Sequence, residues 1–248
     1  MRLKQPREET YPIFWHWETL GGIPCLIVEP RGENREIFCM YYHGWSSSPT
    51  NQLLRLQLLA MHGLKVVAPC AKHHGKRGAV DYENPEMIAK YLFDTVEEAL
   101  HEFPTIMKEI DKIGKVGTRK ICLYGNSMGG FIASKIFAEY PEIYACALTN
   151  TTWHWKDLIE YWRSMYLEQR PIQFRLEEVS VEQLGKRPLW VSGGSLDPVV
   201  PQTGMRKTVE AMKIKGYPAE YLNFEGLGHF VTVNMLTEVI SFYARCMG

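Results

Sequence analysis

The stretch Ile121-Cys122-Leu123-Tyr124-Gly125-Asn126-Ser127-Met128-Gly129-Gly130-Phe131 decides how the chain is read. Ile121 to Tyr124 is short, apolar and rich in β-forming residues, the pattern of a strand buried on both faces. Phe131 to Ala138 reads as a helix, so the order is strand, sharp turn, helix, with Ser127 at the turn. Gly125 and Gly129 flank the serine two residues away on either side, the G-x-S-x-G spacing. A nucleophile on a strained strand-to-helix turn needs small neighbours there, because the helix backbone crosses close to the strand. The same turn directs the backbone N–H of Met128, in the first helical turn, at negative charge forming beside the serine. Read alone, the pentapeptide also fits a glycine-rich connection with a spectator serine. A base and an acid downstream decide between the two.

Both are present. Asp197 lies in Gly193-Gly194-Ser195-Leu196-Asp197-Pro198, just past the strand-like run Pro188 to Val191, and His229 follows Gly226-Leu227-Gly228 after the run Glu220 to Phe224. The chain order Ser, Asp, His is the one expected when the three groups sit at the ends of successive parallel strands. With these motifs the sequence resembles the α/β-hydrolase fold family, closest to its small serine esterases and its dienelactone-hydrolase-like or serine-aminopeptidase-like members. The resemblance runs from about residue 37 to the C-terminus. It implies an α/β fold with a mostly parallel eight-stranded sheet flanked by helices. It also implies a Ser127–His229–Asp197 triad, a second oxyanion donor in the backbone N–H of Trp45 after His43-Gly44, and no metal or organic cofactor. A serine nucleophile argues against the dehalogenase and epoxide-hydrolase branches, which place an aspartate there. His16, His62, His101 and His154 compete for the base, and Asp157 for the acid. None of these histidines follows a late strand beside a glycine as His229 does.

The 248 residues fit one large α/β domain, 1–248, and the hydrophobic fraction of 46% suffices for a sizeable core. Twenty-eight basic residues balance twenty-eight acidic ones, which argues against nucleic acid or an anionic membrane as the main partner and is compatible with a homodimer. The six cysteines show no paired CxxC spacing; Cys39, Cys122 and Cys146 fall in strand-like runs, and a reduced cytoplasmic protein is expected. The stretch Met1 to Glu9 has no apolar core of the signal-peptide kind, and no apolar run reaches the roughly 18 residues that span a bilayer.

Tyr11 to Glu18 and Ile23 to Glu29 read as a hairpin around Gly21-Gly22, and Glu36 to Tyr42 as the strand leading into His43-Gly44-Trp45. His43 is expected to brace its loop, with a place in the substrate-binding set. Lys72-His73-His74-Gly75 has neither metal-ligand spacing nor a phosphate-loop ending and is read as a structural or substrate-contacting loop. Asn84 to Gly114 is helical, bent or broken near Pro104. After the strand Tyr144 to Thr149 comes an aromatic excursion, 151–187, expected to form a small helical cap. There Trp153, Trp155 and Trp162 line a substrate pocket, anchor the cap or form a dimer contact. The expected activity is hydrolysis of small-molecule esters with small or medium acyl groups. A peptidase, an aminopeptidase, a thioesterase and a non-catalytic ligand-binding relative stand as alternatives.

Overall fold

The computed structural model describes residues 13–30, 37–114, 120–167, 171–172 and 175–247. The Met1 to Glu9 stretch, the first two residues of the expected hairpin, Glu36, and 168–170 and 173–174 of the expected cap lie outside the described residues. Among the described residues eight strands form one sheet: β1 (Ile13–Leu20), β2 (Ile23–Pro30), β3 (Ile37–Tyr42), β4 (Lys65–Pro69), β5 (Lys120–Asn126), β6 (Ala145–Thr149), β7 (Leu189–Gly194) and β8 (Ala219–Phe224), in spatial order β1-β2-β4-β3-β5-β6-β7-β8. β1 pairs antiparallel with β2 and β2 with β4; every pairing from β4 through β8 is parallel. The β1–β2 turn needs Gly21 and Gly22, whose φ values of 59° and 89° give the twist that a two-residue hairpin demands.

Among the described residues seven helices cover the sheet: α1 (Leu53–Met61), α2 (Pro85–Gly114), α3 (Met128–Glu139), α4 (Trp155–Trp162), α5 (Val181–Leu184), α6 (Thr203–Ile214) and α7 (Val233–Met247). Strand residues alternate between two cores, as a period of two requires. Leu123, Leu148 and Val191 pack with Phe131, Ile136 and Met205 on the face of α2, α3 and α6. Tyr124, Ala147 and Trp190 pack with Leu56, Leu59, Met235 and Val239 on the face of α1 and α7. Coverage on both faces is why the central strands read as continuous apolar runs rather than alternating ones.

α2 runs unbroken through Pro104, so the expected break is absent. The proline forfeits one helical hydrogen bond, and burial of Phe103, Ile106 and Ile110 on the same helix offsets that loss. Between β6 and β7 the described chain forms α4, a π-helical turn over Arg163–Leu167, and the short α5, which Ser180 and Gln183 close with a capping box.

Candidate active site

Because β3, β5, β7 and β8 run parallel, the segments that leave them emerge at one edge of the sheet. Ser127 lies between β5 and α3 with φ 54° and ψ −122°, a left-handed conformation that costs energy for a residue with a β-carbon. The flanking glycines are sterically required. A β-carbon at Gly125 would lie 2.2 Å from the Gly129 carbonyl oxygen, and one at Gly129 would lie 2.0 Å from the Tyr42 carbonyl oxygen. These contacts are the close strand–helix crossing that the spacing of the motif anticipates.

His229 Nε2 lies 2.9 Å from Ser127 Oγ, and Nδ1 lies 2.7 Å from Asp197 Oδ2. The second carboxylate oxygen of Asp197 accepts the backbone N–H groups of Val199 and Val200, each at 2.9 Å. The Asp197 side chain is fully enclosed, whereas that of His229 is 22% exposed, so the trio opens to the surface on its histidine side. Leu196 and Phe230, the sequence neighbours of Asp197 and His229, are 67% and 70% exposed.

Gly44 lies against the serine: a β-carbon there would sit 3.3 Å from Ser127 Cβ. The next residue, Trp45, is held by its indole, whose Nε1 donates to the Tyr82 carbonyl at 3.0 Å and whose ring packs edge-on against His74 and Tyr82. Met128 opens α3, so its N–H has no carbonyl one turn back within the helix. Both expected oxyanion donors thus belong to segments that adjoin Ser127.

The expected substrate-binding side chains are placed otherwise. His43 is 2% exposed; its Nε2 accepts the Ala71 N–H at 3.2 Å, which leaves Nδ1 protonated to donate to the Gly44 carbonyl at 2.9 Å. Burial pushes its pKa down to about 3, so the ring is neutral, and it ties the Gly44 loop to the segment after β4. It has no free ring nitrogen to offer a substrate. Trp153, Trp155 and Trp162 are 1%, 0% and 4% exposed within the core, Trp162 near Phe131 of α3. Trp155 Nε1 donates to the Thr152 carbonyl and Trp162 Nε1 to that of Val199. Burial of all three side chains favours the anchoring reading of these tryptophans. Large aromatic surfaces are worth more in a core than at a rim, and a short helix such as α4 depends on such burial for its stability.

Of the rival groups, Asp157 is exposed on the first turn of α4 and His154 bonds Thr208 Oγ1 at 2.9 Å. Among the described residues no group of three or more His, Cys, Asp or Glu side chains could hold a metal ion, and no helix is long and apolar enough to cross a membrane. All six cysteines are free. A groove of about 450 Å³ beside Tyr144, Pro188 and Pro218 lies at the N-terminal ends of β6 to β8, remote from Ser127.

Sheet order, helix placement and the strand-to-helix turn together define an α/β-hydrolase fold. Within that class the chain belongs to the prolyl oligopeptidase family, whose sequence profile matches residues 93–248. It is 28% identical to the putative esterase YitV of Bacillus subtilis (strain 168), over 79% of this chain and 83% of that one. It is 25% identical to the esterase YjfP of Escherichia coli (strain K12), over 91% and 96%. Among solved structures, TT1662 from Thermus thermophilus superposes with a TM-score of 0.72 at 22% identity, covering 95% of this chain and 98% of that one. At that identity the likeness speaks for the fold alone.

Proposed function

We propose that the protein is a serine hydrolase that cleaves carboxylic esters of small or medium acyl groups through an acyl-enzyme intermediate. The observation that carries this reading is His229, with Nε2 2.9 Å from Ser127 Oγ and Nδ1 2.7 Å from Asp197 Oδ2. Ser127 Oγ attacks the ester carbonyl carbon while His229 Nε2 takes its proton, and Asp197 stabilises the imidazolium. The backbone N–H groups of Trp45 and Met128 hold the tetrahedral oxyanion, each worth about 3 kcal/mol of barrier. The intermediate collapses as the alcohol leaves with the proton from Nε2. Water, deprotonated by the same nitrogen, then attacks the acyl carbon and releases the acid and Ser127. The names of the relatives YitV and YjfP support an ester substrate.

Membership of the prolyl oligopeptidase family favours a second reading, a peptidase or aminopeptidase with the same triad. Hydrolysis of p-nitrophenyl esters of increasing acyl length, beside aminoacyl arylamides, separates the two. Turnover of short esters that Ser127→Ala abolishes supports the first reading. Serine-dependent turnover of arylamides alone supports the second, and ester turnover that survives Ser127→Ala overturns the triad in both.

A further inference from the structure

Asn150 and Thr151 leave the end of β6, each 1% exposed, and neither belongs to the proposed triad or its oxyanion donors. Asn150 has φ 49°, the left-handed region that asparagine enters more readily than most residues with a β-carbon. Its backbone N–H donates to the Ser192 carbonyl of β7 at 2.8 Å, and its side-chain Nδ2 donates to the Phe230 carbonyl at 2.8 Å, on the residue that follows His229. Its Oδ1 is buried with no hydrogen-bond donor among the described residues. A backbone that needed only positive φ would be served by glycine, without an orphaned oxygen. On the other side, Thr151 Oγ1 donates to the Ser127 carbonyl at 2.9 Å, and the Ser127 N–H donates to the Thr149 carbonyl at 3.0 Å.

We propose that Asn150 and Thr151 are positioning residues, one fixture at the end of β6 that holds the strained Ser127 turn and the His229 loop at their working separation. This rests on the triad reading above. The His229 loop has freedom to lose: Gly226 has φ 73° and Phe230 is largely exposed. The Asp197 contact holds one side of the imidazole, yet a loop held there alone can swing Nε2 away from Ser127 Oγ. The Asn150 amide holds the chain on the far side of His229 and removes that swing. Thr151 does the same for the serine, whose left-handed backbone relaxes if its carbonyl is released.

Asn150→Gly keeps the left-handed backbone and removes the amide; Thr151→Val keeps the shape and removes the hydroxyl. Both are compared with wild type and Ser127→Ala for kcat and KM on the p-nitrophenyl ester that wild type turns over best, for the rate of labelling by a fluorophosphonate, and for thermal unfolding. Expected are cooperative unfolding, KM within about twofold, and kcat and labelling rate lower by roughly tenfold to a hundredfold, the scale on which misplacement of reacting groups by about 1 Å acts. Wild-type kcat in both variants beside an inactive Ser127→Ala overturns the fixture and leaves the triad standing. Activity retained in Ser127→Ala overturns the triad and the fixture with it. A raised KM at unchanged kcat, or loss of folding in both variants, also overturns the proposal; if Asn150→Gly alone fails to fold, Thr151→Val decides.

Discussion

Asp197 meets His229 with one carboxylate oxygen and the backbone with the other. Oδ2 faces Nδ1 at 2.7 Å, while Oδ1 accepts two N–H groups, from Val199 and Val200. The side chain has no exposed surface and so cannot rotate into solvent. Its two oxygens therefore have different, fixed partners, and an acceptor is always presented to the imidazole.

That division predicts the effect of Asp197→Asn. The amide oxygen will take the place that accepts two N–H groups, because an NH₂ there would face donors. The NH₂ group is then turned toward Nδ1, which must become an acceptor, and Nε2 carries the proton when it should be taking one from Ser127. We expect kcat to fall by about three to four orders of magnitude with cooperative unfolding retained. Steady-state kinetics beside a urea titration check both parts; a loss below tenfold contradicts the tautomer argument.

Gly129→Ala should damage the fold before it damages chemistry. The added β-carbon would sit 2.0 Å from the Tyr42 carbonyl oxygen, a backbone atom of β3 that cannot swing aside. Overpacking of this kind costs about 3 kcal/mol. A midpoint in urea equal to that of wild type would refute it.

His43 makes stability depend on acidity. The unfolded chain protonates this ring as pH falls below its ordinary value of 6.5, whereas the buried, neutral ring resists until about pH 3. The unfolded state thus holds more protons in that window. The contribution of His43 is complete above pH 6.5 and is lost as pH falls, with a slope approaching about 1.4 kcal/mol per pH unit. Unfolding free energies at pH 7, 6 and 5 for wild type and His43→Gln test this, since the variant should show the shallower slope.

Trp155→Ala should separate anchoring from substrate contact. The ring is fully buried, so its loss leaves a cavity and costs about 3 to 5 kcal/mol. Because no part of the ring reaches solvent, KM for a short ester should stay within about twofold of wild type at a temperature where the variant is folded. A KM change of tenfold in a stable variant would return the indole to the pocket.

What was legible in the sequence is what local backbone geometry dictates. Gly125 and Gly129 announce the crossing beneath Ser127 because only glycine fits there. Asp197 and His229 are marked by their places after late strands, and β5, β6 and β7 by apolar runs that are buried on both faces. What escaped depends on partners distant in the chain. Nothing within Trp153 to Trp162 says that the core takes up these indoles, and a proline at 104 gives no notice that buried neighbours carry the helix past it. Asn150 bonds a carbonyl 80 residues away, in an Asn-Thr-Thr run with no recurring pattern.

Among the described residues β8 is the last strand of the sheet and pairs with β7 alone, and His229 lies just beyond it. Ser127 follows β5, which has a hydrogen-bonded neighbour on each side. The proposed nucleophile and its proposed base are therefore mounted on parts of unequal local stability. Opening of the β8 margin removes the imidazole while the serine turn stays built, because edge elements open at lower free energy than central ones. As denaturant rises, turnover should cease ahead of the loss of secondary structure, and on dilution it should return last, which makes catalysis a reporter of completed folding.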